Sequence, residues 1–310
     1  MSKAPPLHTL EGKTVVVTGA SDGIGKAAVR AYAAAGASVV MIGRNEAKTA
    51  AAARSIMSEL GGAAAGRAIT WEIADLSRQQ AVHDVADRLL ARLPRIDVLA
   101  NNAGAMFLDR EVTPDGFERT FALNHLSYFT LTMRLLAPLV AASRPGAPAR
   151  VVSVSSRAHR NAHPRLDDLQ LEHHFGGWTQ YANSKLYNVW FTRALARRLD
   201  PSRVVTHALH PGVVSTRFAT NNGRMGRVLR GLMDVISVTP AQGADTLVWL
   251  SCAPEALERS GDYWVKRRRV APSTTARDDG RAEQLWAITA QLTGLDADRL
   301  LRDAMAHAVA

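Results

Sequence analysis

The chain has 310 residues, 47% hydrophobic and 21% charged, which suits one sizeable core at the upper end of single-domain length. Its 38 basic against 28 acidic residues leave a net charge of +10, but no helix-turn-helix, zinc-finger or RNP pattern accompanies them, so nucleic-acid binding is not expected. No apolar run approaches a membrane span, the start "MSKAPPLHTLEGK" has no apolar signal core, and Cys252 is the sole cysteine, features that predict a cytoplasmic protein without an internal disulfide.

The first predicted element is an apolar strand, "TVVVTG" (14–19), running into "TGASDGIGKAA" and a helix over 24–35. Glycines at 19, 23 and 25 let the backbone turn sharply and approach a pyrophosphate at the helix N-terminus. The next strand, 38–43, ends in "MIGRNE". Gly43 stands where an NAD-type acid would be, and Arg44 follows it. A guanidinium pairs with a 2′-phosphate, so NADP(H) is expected, with Lys26 a candidate second cation. After a helix over 45–60, the strand at 68–75 ends in "DLS". Asp75 suits an adenine amino group, and equally suits capping the next helix, 77–91, with Ser77. The fourth strand, 97–104, closes with "NNAG".

A long helix is predicted over 117–142, with Asn124 inside it, either as a functional amide or as one bonded to nearby backbone. "RPGAP" (144–148) reads as a turn. The strand at 150–156 ends in Ser155 and Ser156, and the helix at 179–199 carries "YANSK", which puts Tyr181 and Lys185 on one face a turn apart. A strand at 204–212 follows. Beyond it come a Gly- and Arg-rich stretch (221–231), a helix near 240–251, a short strand at "DYWV" and a tail over about 266–310. Apolar strands alternating with helices predict an α/β fold of the doubly wound Rossmann type, with helices on both faces of a parallel sheet in a single domain, 1–310. Four histidines (159, 163, 173, 174) lie between Ser156 and Tyr181, and no second ligand cluster accompanies them, so no metal is expected.

"TGASDGIG", "NNAG", "YANSK" and "HPGVVST", in this order, resemble the short-chain dehydrogenases/reductases from about residue 12 to 295. "VVSVSSRAH", "SKLYNVWFTRALARRL", "TPAQGA" and the "SGDYW…AEQLW" ending resemble the retinol dehydrogenase-like branch. The resemblance implies Tyr181 as general acid/base, Lys185 lowering its pKa, Ser156 rather than Ser155 on the substrate carbonyl, and Asn124 holding a relay water. It assigns to the cofactor Gly19, Ser21, Gly23, Ile24, Gly25, Arg44, Asp75, Leu76, Asn102, Ala103, Gly104, Pro211, Gly212, Val214 and Thr216, beside Tyr181 and Lys185. It makes the segment at about 217–240 a substrate lid. The 24 residues between Ser156 and Tyr181 exceed the common family spacing, though the branch shares the insertion. The start has no apolar anchor of the kind many vertebrate retinol dehydrogenases carry, which puts retinoids in doubt as substrate.

The expected function is NADP(H)-dependent interconversion of a lipophilic aldehyde or ketone and its alcohol. The alternative is an NADP(H)-binding regulator or scaffold without turnover. The run "KRRR" (266–269), after Tyr263 and Trp264, reads either as a solvated loop or as a weak, salt-sensitive contact with anionic membranes; Trp264 reads either as an interfacial anchor for that contact or as a core residue at its strand end. A homo-oligomer is compatible with all of this.

Overall fold

In the computed structural model, which describes residues 9–61, 68–212 and 238–306, the apolar runs pair into one sheet. Strands β1 (Thr14–Thr18), β2 (Ser38–Gly43), β3 (Ile69–Ile73), β4 (Val98–Asn101), β5 (Ala149–Val154), β6 (Val204–His210) and β7 (Tyr263–Val265) are parallel, in the order β3-β2-β1-β4-β5-β6-β7. A short β8 (Arg268–Arg269) returns antiparallel on β7. The winding direction reverses between β1 and β4. A crevice therefore opens beyond their carboxyl ends, where sheets of this kind bind ligands.

The helices are α1 (Gly23–Ala34), α2 (Glu46–Leu60), α3 (Gln79–Leu90), α4 (Arg119–Phe121), α5 (Ser127–Arg134), α6 (Leu136–Ala142), α7 (Gly177–Arg198), α8 (Pro240–Cys252), α9 (Asp279–Thr293) and α10 (Ala297–Ala306). Side chains alternate across a strand, so each strand feeds two cores. Val15, Val17, Val39 and Met41 pack with Val29 of α1, Ile56 of α2 and Leu247 of α8. Val16, Val40, Ile42 and Val151 pack on the other face with Leu89, Phe129, Leu139, Leu195 and Trp286. The doubly wound α/β expectation is met.

Three expectations change. The stretch at 117–142 is not one helix: a π turn occupies Ala122–Leu126, and the chain breaks at Leu135. Pro138 has no N–H to return to the Arg134 carbonyl, so the helix cannot run through that point. In the π turn the Ser127 N–H reaches back to Ala122 O, and the Ser127 hydroxyl takes the Leu123 carbonyl at 2.6 Å.

The tail as far as residue 306 is packed structure. α9 lies on α7 and puts Trp286 5.0 Å from Phe129, while α10 adds Leu301 to the same core. Trp264 is 7% exposed, sits 5.3 Å from Trp249 and donates to His207 Nδ1 at 3.2 Å. It is an interior residue and does not anchor in a membrane. "KRRR" forms the β7–β8 hairpin, with Lys266 and Arg267 both left-handed (φ 51° and 57°). Arg267 is ion-paired to Asp245, and Arg269 lies 3.6 Å from Asp262. Among the described residues no helix is long and apolar enough to cross a membrane.

Arg150 fastens the sheet to α8. Its guanidinium is buried and donates to the carbonyls of Leu250 and Ala253, both at 2.8 Å, which end that helix. Replacing it takes a donor from both carbonyls, of which Ala253 O keeps the Ala256 N–H at 3.3 Å. Arg150→Met should lower the unfolding free energy by about 2–4 kcal/mol, read from urea denaturation midpoints.

Candidate active site

The glycine turn is tied to the neighbouring strand end before any ligand enters. The Thr18 hydroxyl accepts from the backbone N–H of Asn102 (2.8 Å) and Ala103 (2.9 Å), and the Asn102 amide donates to Thr18 O at 2.8 Å. Gly19 has φ +64°, and a Cβ there would lie 2.8 Å from Ala103 Cα. At Gly25 a Cβ would come within 2.2 Å of Gly19 O and 2.7 Å of Asn102 Nδ2, so only glycine lets α1 seat this close. Asp22 starts the helix by accepting from Gly23 N at 2.8 Å.

The end of β2 has no room for an acid. A Cβ at Gly43 would fall 2.0 Å from Thr49 Oγ1, a hydroxyl already donating to Asn45 O at 2.7 Å. Arg44 is exposed beside this point, and among the described residues it has no carboxylate partner. Lys26, the candidate second cation, does not line the cavity; its ammonium bonds Ser55 at 3.3 Å. Beside Arg44, the cavity wall carries Lys48, paired to Asp22 at 2.7 Å. Asp75 lines it too, while its Oδ1 accepts from both the N–H and the hydroxyl of Ser77, the capping alternative.

At the other end, Ser155 and Ser156 part company. The buried Ser155 hydroxyl donates to the main-chain carbonyl of Lys185 at 2.7 Å. Ser156 faces the cavity, accepts from Ala158 N at 3.1 Å and hydrogen-bonds the Tyr181 hydroxyl. The Lys185 ammonium donates to Val154 O at 3.1 Å and lies 5.6 Å from the Tyr181 ring centre. Burial pulls Lys185 down to about 7 and pushes Tyr181 up to about 12, against the pull of the Ser156 bond. The expected lowering of the Tyr181 pKa is thus reversed within the chain itself, because desolvation outweighs the favourable contacts. Asn124 does not line the cavity. Its side chain closes on Ala105 N and O and on Ser184, each at 2.9 Å, so its amide is used structurally at the back of the site.

Together these residues line a cavity of about 640 Å³ running from Arg44, Lys48 and Asp75 past the glycine turn and Gly104 to Ser156, Tyr181 and Lys185. Ser21, Gly23, Ile24, Leu76, Asn102, Ala103, Pro211 and Gly212 are also on its wall. Val214, Thr216 and the expected lid as far as 237 lie outside the described residues. A glycine floor that a single Cβ would fill, a cation at one end and a hydroxyl pair at the other fit an extended nicotinamide dinucleotide.

Several wall residues carry signals that sequence reasoning passed over. His210 precedes "PG" and accepts from Arg157 N at 3.3 Å, which braces the Ser156 turn; burial and the Arg157 charge hold it down near about 4. Trp178, one turn before Tyr181 on α7, is half exposed with its ring 5.9 Å from the tyrosine. Phe107, Leu123 and Arg119 complete that end; Arg119 lies 4.3 Å over Phe107 and is ion-paired to Glu111. His159, from the histidine-bearing insertion, uses both ring nitrogens on backbone, at Ser156 O and Ser273 N.

A family model for short chain dehydrogenase matches residues 13–226. Human retinol dehydrogenase 13 is 35% identical, the match covering 94% of this chain and 88% of that one. Mouse retinol dehydrogenase 12 is 37% identical over 92% and 88%. Among solved structures, an uncharacterised protein from Mycobacterium paratuberculosis matches with a TM-score of 0.74 at 31% identity, covering 93% of this chain and 96% of that one. An Escherichia coli short chain dehydrogenase complexed with NADPH matches with a TM-score of 0.63 at 25% identity, covering 85% and 100%.

The buried amine has a measurable consequence. An unfolded lysine holds its proton up to about 10.4, whereas Lys185 releases it near about 7. Between those values the unfolded chain binds more protons, so this group makes the fold more stable as pH rises and costs stability as pH falls back. The urea midpoint of the native chain should therefore gain on that of Lys185→Met between about pH 7 and pH 10. Parallel profiles would mean the amine is not desolvated.

Proposed function

Because the chain belongs to the short-chain dehydrogenase/reductase family, it is an oxidoreductase built for a nicotinamide cofactor, and we propose that it uses NADP(H) to interconvert a lipophilic aldehyde or ketone and its alcohol. The observation that carries the cofactor choice is the β2 end, where Thr49 occupies the space of an acidic side chain and Arg44 stands unpaired among the described residues. An acid there would repel a 2′-phosphate, and a guanidinium binds it in a planar fork. The bound cofactor supplies the hydride donor or acceptor.

The chain's residues handle the proton. Tyr181 keeps its hydroxyl proton at neutral pH, since burial holds its pKa at about 12, and so stands ready as an acid towards a carbonyl oxygen. Ser156, bonded to that hydroxyl, orients the same oxygen from the other side. Lys185 stands behind the tyrosine, its amine restrained by Val154 O. Any charge it carries near neutral pH favours loss of the tyrosine proton in the direction of alcohol oxidation. Phe107, Leu123 and Trp178 on the wall beside Tyr181 support an apolar substrate body.

A cytoplasmic location agrees with the chain's composition. The exposed Lys266 and Arg268 are the groups through which a weak contact with anionic lipid would act.

Two variants test the assignment. Tyr181→Phe should abolish turnover in an aldehyde and ketone screen with NADPH, while leaving cofactor affinity within about threefold, since only the transferable proton is lost. Arg44→Ala should weaken NADPH binding by about tenfold or more and leave NADH nearly unchanged. Tighter binding of NADH than of NADPH by the native chain would overturn the cofactor assignment.

A further inference from the structure

Arg44 does not stand alone at the phosphate end. Lys48 and Asp22 reach the same stretch of cavity wall from opposite sides, Lys48 from the first turn of α2 and Asp22 from the glycine turn before α1. Their ion pair, at 2.7 Å, spans the gap between the two elements. Asp22 divides its carboxylate, Oδ1 taking Gly23 N and Oδ2 taking Lys48. Both side chains are about half exposed, at 40% and 50%.

The arrangement poses an electrostatic problem. A carboxylate beside a phosphate subsite opposes the ligand unless a cation answers it. Lys48 is a cation placed to do so, and a half-exposed pair is held weakly enough to be exchanged. An ammonium on a four-carbon stem turns from a carboxylate to a nearby dianion by side-chain rotation alone. The backbone of α2 need not move, because Lys48 N is independently fixed to Asn45 Oδ1 at 2.9 Å.

We propose that Lys48 is a specificity-determining residue for the cofactor: parked on Asp22, it transfers to the 2′-phosphate beside Arg44, and the Asp22 charge sets the margin between phosphorylated and unphosphorylated ligands. The proposal rests on the NADP(H) reading above. It predicts that the two residues act in opposite directions on one ligand and hardly at all on its dephosphorylated counterpart.

Calorimetric titration of the full chain with 2′,5′-ADP and with 5′-AMP separates the possibilities without any turnover. Lys48→Met should weaken 2′,5′-ADP by about tenfold and 5′-AMP by less than about twofold. Asp22→Asn keeps the acceptor for Gly23 N and removes the charge, so it should tighten 2′,5′-ADP by about threefold, in the native chain and again in the Lys48→Met background. A native chain that prefers 2′,5′-ADP while Lys48→Met leaves that preference intact overturns this proposal alone. Equal losses for both ligands do the same, since they mark a merely structural pair. A native chain with no preference for 2′,5′-ADP overturns this proposal and the NADP(H) reading together.

Discussion

The site depends on a two-way clasp between the end of β5 and the middle of α7. Ser155 donates its hydroxyl to the main-chain carbonyl of Lys185, and the Lys185 ammonium donates back to the carbonyl of Val154. A hydroxyl inside a helix-facing interface and a buried amine are both costly unless satisfied, and each satisfies the other's element. With that contact made, one side of α7 is fixed against the sheet, and the hydroxyls of Ser156 and Tyr181 meet. Gln180 secures the N-terminal end of the same helix, donating to the buried carboxylate of Glu118 and to Leu169 O. The chemistry is thus placed by groups that need never touch a substrate.

What the sequence disclosed follows from local physics. Strands that are apolar on both faces and glycines at a strand–helix turn have few other uses, so β1 to β6 and the cradle around Gly19 and Gly25 were readable. The π turn at Ala122–Leu126 was not, because no residue in "ALNHL" forbids an α-helix; the turn is set by tertiary contacts of Asn124 with Ala105 and Ser184. The break at Leu135 was readable in principle from Pro138. Lys26 follows the cradle in sequence and Lys48 follows Arg44, and only the direction in which α1 and α2 present them separates the two. Trp264 stands just before "KRRR" and so read as available to a surface as well as to the core; its neighbours Trp249 and His207, from distant segments, put it in the core.

The arginine excess has a structural outlet. Arg193, Arg197 and Arg198 on α7 grip Asp279 and Glu283 on α9, and Arg88 and Arg92 share Glu72. Arg134 holds Asp87 across α3 and α5, and Arg267 holds Asp245 under the hairpin. Each exposed pair contributes little by itself, about 0–1 kcal/mol, but together they join elements remote in sequence on both sides of the sheet. A guanidinium serves this better than an ammonium because it bridges two carboxylates at once, as Arg197 does. The net charge therefore overstates the cationic surface free to meet a partner.

The contact between Gly43 and Thr49 makes cofactor choice contingent on mutational order. An acid arriving first at position 43 would strike a buried hydroxyl that is itself bonded to Asn45. Trimming Thr49 first would open a void with no immediate gain. Each single step therefore carries a steric or packing cost, and the two are coupled, because the room that an acid at position 43 needs is the room that Thr49 fills. On the NADP(H) reading, two neighbouring side chains would have to change together before an acid could take that place, so a selection that samples one substitution per round meets a steric barrier at this point.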